Sequence, residues 1–193
     1  MILASKSPRR KEILENIGVE VIVAVPDIEE VSSKEGVAEK IKDIALKKCE
    51  KIAEIYPENY VTAADTVVVY GEEILGKPAN EQEAREMLMK LSGKEHSVIT
   101  AFAFINKAEK LEMSISDVTT VKFREIGAEE LDWYIESGEP FDKAGAYGIQ
   151  GKGAVFVERI DGDFFNVMGF PIQKFITEIK RATGKEFNEI LKM

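Results

Sequence analysis

The sequence holds one cysteine, one histidine and one tryptophan. With Cys49 alone, no internal disulfide can form, which fits a reducing compartment. With His96 as the single histidine, a zinc site built on His and Cys is excluded. A bound metal would then have oxygen ligands, which favours Mg²⁺ or Mn²⁺. No apolar run is long enough to span a membrane, the longest, such as 61–70, having strand length. The first residues begin apolar and turn basic only at Lys6, the reverse order of a secretory signal, so a cytoplasmic location is expected. Basic residues are outnumbered 35 to 26, for a net charge of −9. That balance argues against nucleic acid as a partner and leaves room for a small phosphorylated ligand in a local basic pocket. Abundant Lys and Glu lean toward a heat-loving source. Cys49 lies in a lysine-rich helical pattern and reads as a small half-buried helix residue rather than a nucleophile.

What is present reads as alternating strands and helices without repeats, low-complexity tracts or a Pro/Gly/Ser linker. A strand at 2–4 leads to a helix over 8–17, with Ser7 as N-cap, Pro8 at the first helical position and Gly18 at the stop. A strand at 19–25 ends at Pro26. An amphipathic helix is expected over 34–55, then strands at 60–70 and 73–75. A helix at 80–91 precedes two long strands, 95–106 and 109–123, joined at Lys107-Ala108. A helix at 128–136, a strand at 154–160, a helix at 167–182 and a short closing helix complete an α/β chain with a mixed sheet.

Four segments carry candidate chemistry. In Leu3-Ala4-Ser5-Lys6-Ser7-Pro8-Arg9-Arg10, a strand gives way to hydroxyls, a lysine and a helix start. The free N–H groups of a helix N-terminus suit an anion, and two arginines in the first turn oppose the helix dipole unless an anion sits there. The same residues also fit a plain N-cap with solvated arginines. Asp65, inside the apolar run Ala63 to Val69, is costly to bury unless paired, metal-bound or at a cleft. That makes it a candidate general base or metal ligand, the other reading being a hydrogen-bonded structural Asp. Thr66, its neighbour, points to the opposite sheet face or continues the local bend. Lys77, in the loop Gly76-Lys77-Pro78, is a weak signal alone. Asp142 to Gly151 holds three closely spaced glycines that let backbone approach a ligand, and Gln150 offers both donor and acceptor to a base edge. The glycine spacing matches neither a Walker nor a Rossmann pattern. Glu29 and Glu30 could supply metal oxygens, though paired loop acids are more often simply solvated. His96 is placed at the surface or under the strand pair and is assigned no role.

Taken in order, these segments resemble the Maf family of nucleotide pyrophosphatases, named for septum formation. The resemblance rests on Leu3-Ala4-Ser5 with Ser7-Pro8-Arg9-Arg10, Ile28-Glu29-Glu30, Ala64-Asp65-Thr66-Val67-Val68, Gly76-Lys77-Pro78, Leu91-Ser92-Gly93, Asp142 to Gly151 and Asn166-Val167-Met168-Gly169-Phe170-Pro171. It implies a single domain over 1–193 with an α/β, two-lobed, mixed twisted sheet flanked by helices, an inosine triphosphate pyrophosphatase-like (Maf/Ham1-type) fold with a central cleft. It also implies cleavage between the α and β phosphates of a nucleoside triphosphate with a divalent cation. Asp65 falls on the family's proton acceptor, and Arg9, Thr66 and Gln150 on positions tied to base choice. Ser5, Ser7, Arg10, Lys48 and Lys77 are expected at the phosphates, and Glu30 with Asp65 at the metal. Gln150 points to the dTTP/UTP branch, since the branch acting on 7-methyl-GTP tends to carry an acid there. The chain departs from the family at Cys49, where alanine is usual, and at Asp43 or Lys42, where an arginine is common. A homodimer is compatible with the resemblance. The rival readings are the same chemistry on 7-methyl-GTP or another modified nucleotide, and a non-catalytic, nucleotide-binding regulator of septum formation.

Overall fold

In the computed structural model all 193 residues are described. Strands β1 (Ile2–Leu3), β2 (Ile22–Val23), β3 (Val61–Tyr70), β4 (Glu73–Leu75), β5 (Glu95–Asn106), β6 (Leu111–Phe123) and β7 (Val157–Asp161) form one sheet in the order β2-β1-β3-β5-β6-β7, with β4 paired to β3. It is mixed: β1 runs parallel to both β2 and β3, whereas β3–β4 and β6–β7 are antiparallel. The helices are α1 (Pro8–Asn16), α2 (Val37–Ala53), α3 (Glu81–Leu91), α4 (Ala128–Glu136), α5 (Phe164–Met168), α6 (Ile172–Thr183) and α7 (Phe187–Ile190). The α/β mixed-sheet class expected from the sequence is the class observed. No helix is long and apolar enough to cross a membrane.

The chain divides into two compact units. Met1–Asp65, Thr100–Asp117 and Gly169–Met193 form the first, and Thr66–Ile99 with Val118–Met168 form the second. The chain passes between them at four places, one of which is the Asp65–Thr66 peptide.

In the first unit the amphipathic pattern of α2 decides what is buried. Ile41, Ala45, Cys49 and Ile52 recur at helical spacing and are all buried, as a stripe facing a core requires. Lys48 lies on that same face, only 7% exposed. An aromatic group closes this core, with Phe102, Phe170 and Phe175 in mutual contact and Phe104 edge-on to Phe175. In the second unit α3 and α4 bury Ala84, Leu88, Leu91, Leu131 and Tyr134 in one cluster with Val68, Val98, Phe123, Tyr147 and Phe156. Asn80 caps α3, its side-chain oxygen accepting from Glu83 N–H, which satisfies one of the helix's orphan donors.

Several expected elements differ from those found. The strand at 19–25 shrinks to Ile22–Val23, both exposed, because its outer edge has no further strand to pair with. The second long strand begins at Leu111, since residues 107–110 form the turn and Lys110 takes a positive φ of 53°. Asn106 stabilises that turn by accepting from Glu109 N–H at 2.8 Å. The strand at 154–160 begins only at Val157, after a 3-10 helix over Lys152–Phe156. The helix at 167–182 is two helices, broken where Gly169 has φ 108° and Pro171 precedes α6, as a left-handed glycine and a proline dictate. The long helix starts at Val37, after Gly36. Ser7 occupies the N-cap of α1 but makes no side-chain capping bond.

Candidate active site

The first unit gathers a charged cluster around the end of the buried part of β3. Lys48 Nζ donates to Asp65 Oδ1 at 2.8 Å and lies 3.0 Å from Glu30 Oε1. The Lys48 and Asp65 side chains are 9% and 14% exposed, whereas that of Glu30 is 60% exposed. An ammonium this deep in an apolar helix face is tolerable because two carboxylates compensate its desolvation. The adjacent Lys47 reaches the other way, pairing with Asp43 and donating to Val31 O. Two consecutive lysines of α2 thus hold the segment that carries Glu30.

Arg10 braces the same region. Its Nε donates to Gly169 O at 2.9 Å, and its Nη1 donates to Ala64 O at 2.7 Å and to Ser5 Oγ at 3.3 Å. Desolvation lowers this guanidinium from its usual range, and the nearby Asp65 charge opposes that effect. Arg10 therefore joins three stretches of chain: the loop after β1, the carbonyl just before Asp65, and the turn at Gly169. Ser5 is buried and also accepts from Ser7 N–H at 3.2 Å, while Arg9, in the first turn of α1, is half-buried.

Thr66, Lys77 and Gln150 belong to the second unit. Gly145 N–H donates to Gly76 O at 3.0 Å, which ties the loop carrying Lys77 to the glycine-rich segment. A side chain at Gly145, whose φ is 66°, would meet Val68 at 2.9 Å. The other glycines of this segment make room for the protein's own side chains. A Cβ on Gly148 would sit 2.6 Å from Lys143, and one on Gly151 2.5 Å from Glu139. Gln150 is exposed.

His96 is not at the surface. It is 3% exposed, its Nε2 is 2.8 Å from Tyr147 Oη, and it packs edge-on against Phe123 and Tyr147. Burial pushes the imidazole pKa down to about 4 and raises that of the Tyr147 phenol. Cys49 is fully buried rather than half-buried, its Sγ donating to Val61 O, and burial raises its thiol pKa. A thiol held protonated in this way is a poor nucleophile. Glu139 and Tyr134 follow no motif or period that would mark them in the sequence. The spacing of Lys48 from Ile41, Ala45 and Ile52 was the sign in the sequence that this lysine faces inward.

The donor chemistry suits a hard cation. Asp65 and Glu30 present oxygen only, and no group of three or more His, Cys, Asp or Glu side chains converges anywhere. Mg²⁺ is commonly held by one or two carboxylates together with substrate phosphates rather than by an all-protein cage, and Asp65 and Glu30, each bound to Lys48, are the acids of this cluster that could offer such oxygens.

In the first unit, then, a lysine stands between two acids beside a helix start that carries two arginines, and helix starts and arginines are groups that suit an anion. The chain matches the family model described as "Maf-like protein" over residues 1–182 and belongs to that family. It is 48% identical over 185 residues to a protein of Fusobacterium nucleatum named "dTTP/UTP pyrophosphatase", covering 96% of each chain. A Bacillus cereus protein with the same name is 46% identical over 182 residues, 94% of each chain. Among solved structures, the Ham1 protein of Staphylococcus aureus aligns with a TM-score of 0.45 and 15% identity over 63% of this chain and 70% of that one, a likeness too low to carry an argument.

Proposed function

We propose that this chain hydrolyses dTTP and UTP to the monophosphate and pyrophosphate with the help of Mg²⁺ or Mn²⁺. The names of two relatives that align over nearly the whole chain support this substrate choice. The observation that carries the chemistry is the pairing of Asp65 with Lys48, which sets a carboxyl group of low exposure 2.8 Å from an amine.

In this reading Asp65 accepts a proton from the attacking water. The water oxygen bonds to the α-phosphorus while the bond from that phosphorus to the α–β bridging oxygen breaks, and pyrophosphate leaves with the bond's electron pair. Lys48, Lys77 and Arg9 offset charge on the triphosphate and on the leaving group, with Ser5, Ser7 and Arg10 lining the phosphate side. Arg10 would share its guanidinium with the protein oxygens it already binds. Glu30 and Asp65 would hold the cation, which supplies charge neutralisation and polarisation of phosphoryl oxygen. Positioning and electrostatics supply most of the rate in such phosphoryl chemistry. Gln150, with Arg9 and Thr66, selects the base, its amide offering a donor and an acceptor to the pyrimidine edge.

Turnover of dTTP in ¹⁸O-water tests the reaction. The label should enter the monophosphate; label in the pyrophosphate would overturn attack at the α-phosphorus.

A further inference from the structure

The segment that presents Gln150 is gripped on both sides by one carboxylate and one phenol. Glu139, in the 3-10 turn Glu139–Asp142, accepts from Lys152 N–H through Oε2 at 2.8 Å and from Gly153 N–H through Oε1 at 3.2 Å. Tyr134, fully buried on α4, donates its hydroxyl to Glu139 Oε1 at 3.2 Å and accepts from Gly148 N–H at 3.2 Å. The bonded amides therefore fall at 148, 152 and 153, bracketing residue 150. Between them Ile149 is buried. Gly151 lies so close that a Cβ would be 2.5 and 2.6 Å from the two Glu139 oxygens, and a Cβ on Gly153 would be 2.9 Å from Tyr134 Oη. Lys143 closes the ring of contacts by donating from Nζ to Glu139 O at 2.8 Å.

A carboxylate that accepts successive backbone N–H groups is a strong, directional anchor, because charge-assisted bonds exceed neutral ones and fix the peptide planes that donate them. Here the anion cradled by a glycine-rich backbone is the protein's own. The outcome is an exposed glutamine on a backbone with fixed end points, and the position of a polar side chain against a base edge is set by the backbone beneath it.

We propose that Glu139, acting with Tyr134, is a positioning residue for nucleotide selection: it sets the loop 148–153 so that Gln150 meets the base, without itself touching substrate. The inference rests on the proposed pyrophosphatase reading and on the base-selecting part given to Gln150.

The experiment compares the full-length wild type with Glu139→Gln, Gly151→Ala and Gln150→Ala, using steady-state pyrophosphate release from dTTP and from other nucleoside triphosphates, with a circular dichroism melt of each. Glu139→Gln keeps the size of the side chain but loses the charge and one acceptor oxygen. Gly151→Ala keeps Glu139 but sets a Cβ 2.5 Å from its carboxylate, so that the carboxylate and the loop must part. Both variants should raise KM for dTTP about tenfold and lower the preference for dTTP by a similar factor, with kcat within about threefold of wild type. Gln150→Ala should reproduce that pattern, and amide exchange at Lys152 and Gly153 should quicken in Glu139→Gln. Folded variants that melt earlier yet keep the wild-type KM and nucleotide preference would reduce Glu139 to a purely structural part and overturn the inference. If Glu139→Gln does not fold, Gly151→Ala alone decides by the same KM and preference criteria. A wild type that turns over no nucleotide would sink the pyrophosphatase reading and this inference with it. An active wild type with unaltered variants sinks this inference alone.

Discussion

Lys48 Nζ stands 2.8 Å from Asp65 Oδ1, two side chains from different elements that meet where each is nearly buried. The lysine comes from the inward face of α2 and the aspartate from the last position of β3 within the first unit. Neither would be stable there alone. Removing one partner of such a pair leaves an uncompensated charge of low exposure.

Lys48→Met should therefore cost both stability and turnover. The expected destabilisation is about 2 kcal/mol, because Asp65 loses its cation while Glu30 stays solvated. Urea unfolding measures that term. The fall in kcat/KM should be about a hundredfold or more, and Lys48→Arg should not restore it, since a planar guanidinium does not replace a compact ammonium in a packed stripe.

Asp65→Asn separates the proton acceptor from the binding site. It keeps the shape of the side chain and abolishes basicity. Turnover should drop by about a thousandfold or more, while calorimetry in the presence of Ca²⁺ should still detect dTTP binding, weakened by the loss of one of the two carboxylates given to the cation. Comparable turnover in the variant would remove Asp65 from the role of base.

The single histidine gives a stability signature. His96 titrates near 4 in the folded chain against 6.5 when unfolded, from burial alone. Between those values the unfolded chain binds the extra proton, so stability rises with pH. The His96 contribution is complete above pH 6.5, and lowering the pH from 6.5 to 4 removes about 3 kcal/mol of it. Denaturation midpoints across that window should slope more steeply for wild type than for His96→Asn, which cannot titrate.

Cys49 should be silent toward a thiol reagent in the native protein. Its sulfur is fully buried and burial raises its pKa, so little thiolate forms. Addition of guanidinium should expose one equivalent of thiol. Rapid labelling under native conditions would contradict the packing of α2 against β3.

The charged cluster of the first unit stands out in the sequence because it lies in short ordered segments whose residue types conflict with their surroundings. Asp65 is a charge in an apolar strand, and Arg9 and Arg10 are cations at the wrong end of a helix. The inward turn of Lys48 was readable from its spacing, as a lysine among Ile41, Ala45 and Ile52. The supports were harder to see. His96 pairs with Tyr147 across 51 residues and Glu139 cradles amides 13 and 14 residues away, and neither separation follows a helical or strand period. The glycines of 145–151 were legible as a close approach, but sequence does not say that Lys143, Glu139 and Val68 are what they approach. Element ends depart from the expected ones where a single backbone angle decides, at Lys110 and at Gly169.

The central claim meets its most direct test in pyrophosphate release from a panel of nucleoside triphosphates with Mg²⁺ or Mn²⁺ and an EDTA control. The account predicts selective turnover of dTTP and UTP that chelation abolishes. Selective turnover of 7-methyl-GTP would contradict the part given to Gln150, and tight nucleotide binding with no pyrophosphate released from any nucleotide would contradict the reaction itself.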